Sequence, residues 1–99
     1  MAANRIEDIR DILIPFFLEY GITKGAVFGS FARGEQTEKS DVDLLFSIEG
    51  HMPLSRWTEM ENRIQGALGR QVDFVEYGTL SRRVEQEVLK EAVVIYEQP

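Results

Sequence analysis

The sequence predicts an α/β domain, a small mixed β-sheet packed against helices. Short apolar runs at 24–28, 42–48, 72–75 and 93–96 have the length and residue types of strands. Longer stretches before and between them repeat apolar residues at helical spacing. Glycine marks several places where one pattern gives way to the next, at positions 21, 29, 50 and 69. Helices mixed with few strands fit an α/β layer over one small sheet.

The first helix is expected from Arg5 to about Tyr20, with Ile6, Ile9, Leu13, Phe16, Phe17 and Tyr20 on one stripe. Asn4 is the expected cap, and Glu7 its capping-box partner three residues on. Pro15 predicts a kink or two joined pieces. Gly21 ends the helix. Lys24 to Phe28 is the first strand, and Gly29 turns the chain into a short helix. Gly34 to Ser40 is a polar connection, and Val42 to Ile48 the second strand. The next loop holds Gly50 and Pro53. Leu54, Trp57, Met60, Ile64 and Leu68 define an amphipathic helix closed by Gly69. Val72 to Val75 is the third strand. Leu80, Val84 and Val88 mark another helix, and Val93 to Tyr96 a last strand.

Ninety-nine residues suit one domain, spanning 1–99. An apolar fraction of 43% supports a globular core rather than disorder. The absence of cysteine rules out disulfides and thiolate metal sites. The N-terminus lacks a basic segment followed by an apolar one, so no signal peptide is expected, and no apolar run is long enough to span a membrane. These features predict a cytoplasmic protein. A net charge of −6 argues against DNA or RNA as main substrate. It favours a nucleotide substrate and a partner with basic surface.

The chemistry concentrates in Gly29-Ser30-Phe31-Ala32-Arg33-Gly34 and Ser40-Asp41-Val42-Asp43-Leu44-Leu45-Phe46. A strand sets residues i and i+2 on one face, so Asp41 and Asp43 point together while Val42 and Leu44 enter the core. Two hard oxygen ligands at a strand end suit Mg²⁺, which completes its shell with substrate phosphates. Gly29 lets the backbone approach a ligand, and N–H groups after such a turn attract anions. Ser30 adds a hydroxyl. A triphosphate held there would present its α-phosphorus for attack. Asp73 lies in an otherwise apolar strand, opposite in direction to Val72 and Phe74. An acidic residue there is costly unless it is paired, holds a metal or faces water from an edge strand.

These motifs resemble the active-site signature of the polymerase-beta-like nucleotidyltransferases: Gly-Ser, ten residues, Asp-x-Asp. Gly29-Ser30, residues 31–40 and Asp41-Val42-Asp43 match it without a gap. The short chain is similar, within that superfamily, to the minimal nucleotidyltransferase (MNT) antitoxins encoded beside HEPN ribonuclease toxins. The resemblance implies that superfamily's fold and a third metal-binding aspartate at Asp73. It implies two Mg²⁺ ions held by Asp41, Asp43 and Asp73, and ATP as substrate with its phosphates on Gly29 and Ser30. It further implies transfer of AMP to a hydroxyl, a tyrosine, of the cognate HEPN toxin in a hetero-oligomer.

Other residues are weighed on their own chemistry. The Arg33 fork can reach a phosphate oxygen or anchor the loop by pairing with a carboxylate; both stay open. Ser40 can touch the nucleotide or hydrogen-bond its own turn. His51 has no neighbour in sequence that would orient it, so surface decoration is expected. Trp57 fits the core stripe. Arg82 and Arg83 open a helix, an unfavourable place for cations, and are expected to be solvated. Two competing functions remain at this point. One is a non-catalytic antitoxin that masks its toxin; the other is a small-molecule nucleotidyltransferase, a class that usually carries an extra helical substrate domain.

Overall fold

The computed structural model describes residues 3–99. Eight elements succeed one another: α1 (Ile6–Tyr20), β1 (Ile22–Phe28), α2 (Ser30–Arg33), β2 (Val42–Ile48), α3 (Leu54–Leu68), β3 (Val72–Glu76), α4 (Arg82–Glu91) and β4 (Val93–Glu97). The four strands form one sheet in the order β3-β2-β1-β4. β1 is antiparallel to both β2 and β4, whereas β2 and β3 run parallel through the α3 crossover. The expected mixed sheet against helices is the architecture observed.

The core arises from strand alternation. Val27, Val42 and Leu44 are fully buried on one sheet face, under Ile9 and Leu13 of α1 and Met60, Ile64 and Leu68 of α3. Each such aliphatic side chain contributes about 1.5–3 kcal/mol relative to exposure. Ala26 and Leu45, their neighbours in sequence, are also fully buried but stand outside that cluster, on the opposite face. Phe46, Trp57 and Phe74 meet as an aromatic group, with centroids 5.1 Å apart for Phe46–Trp57 and for Trp57–Phe74. Trp57 thus packs on the core at its edge, half-buried.

Three local expectations are corrected. Arg5, not Asn4, is the cap residue of α1, and no side chain bonds there. The Asn4 side chain instead accepts a hydrogen bond from Arg70 Nη2 at 2.9 Å, a charged donor that outcompetes a helix-end amide. Of the two outcomes expected at Pro15, two joined pieces is not observed, since α1 runs from Ile6 to Tyr20 as one helix. Pro15 and Asp11 share its exposed flank, where water can bond the Asp11 carbonyl left without a donor. β1 begins at Ile22, two residues earlier than periodicity implied, because Ile22 pairs with Ile48.

Candidate active site

Val27 and Phe28 carry β1 to its end against Leu44 and Asp43 of β2. The chain must then leave the sheet without striking Asp43. Gly29 does this with φ 75° and ψ −147°, a region essentially restricted to glycine. A Cβ at Gly29 would overlap Oδ2 of Asp43, and Cγ of Asp43 would lie only 3.0 Å from it. The turn and the carboxylate are therefore in direct apposition. α2 begins at once, held by the Arg33 N–H to the Gly29 carbonyl at 3.1 Å. It ends at Gly34, also at positive φ.

Asp41 lies one residue before β2 and is exposed; Asp43 lies within β2 and is half-buried. Val42, between them, is fully buried, so the two aspartates share the opposite face. Asp73 of β3 is the direct register partner of Asp43 across the parallel pair. It is exposed, while Val72 before it joins the core. The backbone thus brings Gly29, Asp43 and Asp73 to one edge of the fold, with Asp41 and Ser30 flanking.

The electrostatics of Asp43 reflect this crowding. Burial, first, and then the like charges of Asp73 and Asp41 push its carboxyl above the usual range. Arg33 opposes the shift and Glu91 adds to it. A hard divalent cation with oxygen ligands would offset that excess of negative charge, so the donor chemistry fits Mg²⁺. Among the described residues, no three His, Asp or Glu side chains already converge as a metal-binding group.

The remaining candidates divide. Arg33 turns to carboxylates: its Nε donates to Glu35 at 2.9 Å and its Nη1 to Glu91 Oε2 at 3.1 Å. Ser40 Oγ accepts the Thr37 N–H at 2.8 Å and so closes its own turn. His51 lies away from the aspartates, in a groove of about 380 Å³ with Phe46, Ile48, Met52, Leu54, Trp57 and Glu76 at the far end of β2. Arg82 and Arg83 are exposed.

Two residues at the site carried no signal in the sequence. Glu91 accepts the Gly29 N–H at 3.0 Å, across 62 positions. Arg70 is buried, and its guanidinium donates to the carbonyls of Thr37 and Ser40, both at 2.8 Å, immediately before Asp41. That Arg33 could take a carboxylate partner does not say which one.

Known proteins resemble this chain in sequence and fold. The family described as polymerase beta nucleotidyltransferase matches residues 11–99. The protein adenylyltransferase MntA of Thermococcus cleftensis is 35% identical, over 96% of this chain and 100% of its own. A toxin–antitoxin crystal structure with AMP-PNP superposes with a TM-score of 0.74 at 20% identity, over 90% of this chain and 73% of that one. A complex of a tri-AMPylated HEPN toxin from Shewanella oneidensis with an MNT antitoxin gives 0.68 at 16% identity, over 93% and 72%. The two structural likenesses establish the fold. Family match, 35% identity along nearly the whole chain and the apposed glycine turn and aspartates agree: this chain is a nucleotidyltransferase and belongs to the polymerase beta nucleotidyltransferase family.

Proposed function

We propose that this chain, as a single nucleotidyltransferase domain over residues 1–99, transfers AMP from ATP to a hydroxyl of a partner protein. The acceptor is a tyrosine of a cognate HEPN ribonuclease toxin, and the chain acts as its antitoxin. The observation that carries this reading is the in-register Asp43–Asp73 pair, with Asp43 directly against the Gly29 turn. The likeness to a protein adenylyltransferase supports the reaction class. The shared fold of toxin–antitoxin complexes, one with AMP-PNP and one with an AMPylated HEPN toxin, supports the nucleotide and the partner.

Asp41, Asp43 and Asp73 would hold two Mg²⁺ ions. Bound there, such ions lower the pKa of an attacking hydroxyl and offset charge on leaving pyrophosphate. The N–H groups of the glycine turn and the Ser30 hydroxyl receive the β- and γ-phosphates. Arg33 supplies a guanidinium beside them, and Ser40 lines the approach to Asp41. Asp73, exposed to an incoming acceptor, takes the hydroxyl proton. The oxygen bonds to the α-phosphorus and the bond to the β-phosphate oxygen breaks. AMP left on a tyrosine near an RNA-cleaving site repels RNA phosphates.

A masking antitoxin is the second reading. Val84 and Leu89 of α4 and Val93 and Val94 of β4 are 39–49% exposed, which suits contact with a partner. Incubation with labelled ATP, Mg²⁺ and a candidate HEPN partner separates the two. Label on the partner, lost in EDTA, is expected. Label that persists in EDTA would overturn the metal assignment. Full neutralisation by an Asp41→Asn/Asp43→Asn variant would favour masking.

A further inference from the structure

Glu91 is the last residue of α4, and its carboxylate reaches into the glycine turn. It accepts the Gly29 N–H at 3.0 Å through Oε1. It also accepts from Arg33 Nη1, at 3.3 Å through Oε1 and 3.1 Å through Oε2. A backbone N–H at a positive-φ glycine together with an arginine fork is the partner set that a phosphate oxygen takes. An ordinary surface ion pair would involve Arg33 alone. Here one oxygen serves both the turn and the guanidinium, and the Glu91 side chain is only 30% exposed.

Strand β4 fixes the position of Glu91. Val93, the first residue of β4, pairs with Val27, two residues before Gly29. The end of α4 is thereby anchored beside the turn. The helix itself is held lightly, since none of its residues is buried. Moving its last turn exposes no buried apolar side chain of its own.

We propose that Glu91 is a resident anion in the phosphate cradle, which an incoming nucleoside triphosphate must displace from Gly29 and Arg33. The inference rests on the triphosphate site proposed above. Glu91 sets nucleotide affinity by competition: binding breaks its three hydrogen bonds and frees the last turn of α4.

Calorimetric titration of the full chain with ATP and Mg²⁺, wild type against Glu91→Gln, tests the competition. The variant keeps the shape but loses the charge, and about tenfold tighter binding is expected. Hydrogen exchange supplies a second readout. Amides of residues 88–93 in the wild type should exchange faster once ATP is added. If wild type binds ATP and Glu91→Gln binds equally or more weakly, the competition is refuted while the triphosphate site stands. If neither protein binds ATP, the site fails and the proposal fails with it. Should Glu91→Gln not fold, the wild-type exchange arm decides: no change at residues 88–93 overturns the proposal.

Discussion

Asp43 and Asp73 stand opposite each other in register across the parallel β2–β3 pair, one half-buried and the other exposed. Two carboxylates on adjacent strands repel, and burial adds to the cost of ionising Asp43. The fold therefore carries an electrostatic penalty at this edge, which a bound cation would offset.

That penalty has a pH signature. The folded-state pKa of Asp43 is raised above its unfolded value, so its favourable contribution is complete below the usual carboxylate range. It is lost as pH rises through the raised value. In the absence of metal, Asp43→Asn should melt higher than wild type at neutral pH. The gap should close as the pH falls toward the usual carboxylate range. Thermal melts in EDTA across that window check this, and a variant less stable at neutral pH would contradict it.

Activity should move the opposite way. Asp41→Asn, Asp43→Asn and Asp73→Asn each replace an acidic side chain without removing core volume, so folding should survive. Loss of one metal ligand should lower transfer on the order of a hundredfold or more. Single-turnover assays on variants with native circular dichroism measure it. Wild-type rates for Asp73→Asn would remove Asp73 from the site.

Much of this was legible in the sequence because it is local. The period-two pattern of Val42 to Ile48 gave β2 its bounds, and the spacing of Asp41 and Asp43 placed both on the face opposite Val42. Asp73 could be aimed the same way, from Val72 and Phe74. The pairing of Asp73 with Asp43 needed the parallel crossover, which periodicity does not encode. Glu91 and Arg70 escaped because their partners lie 30 to 67 positions away and no local pattern marks them. Asn4 misled for the same reason: a good capping residue was taken by a distant arginine.

Gly29 and Ser30 should respond unequally. Gly29→Val puts a branched side chain at φ 75° and into the Asp43 carboxylate, so it should impair both folding and nucleotide binding. Ser30→Ala removes one hydroxyl and keeps the backbone N–H. Its loss should stay near that of one charged hydrogen bond, about 1.5–3 kcal/mol of transition-state binding. Steady-state kinetics of the folded variants decide. Equal and negligible effects would mean that phosphate does not sit on this turn.

Arg70 fastens the loop before Asp41 to the N-terminal segment. It is buried, and no carboxylate is among its hydrogen-bond partners. Its guanidinium donates to the carbonyls of Ala3, Thr37 and Ser40 and to Asn4 Oδ1, and it lies 4.9 Å from the centroid of Phe31. One side chain thus ties the N-terminal segment, α2 and the loop that delivers Asp41. Arg70→Ala strands several acceptors and empties the space over Phe31, so a loss of about 2–4 kcal/mol is expected. Arg70→Lys keeps the charge but not the planar fork, and should recover only part of it. Urea denaturation of the three proteins measures the order wild type, Lys, Ala. A loss for Arg70→Ala within about 0.5 kcal/mol, the range of an ordinary surface change, would show that the loop before Asp41 holds itself without the arginine.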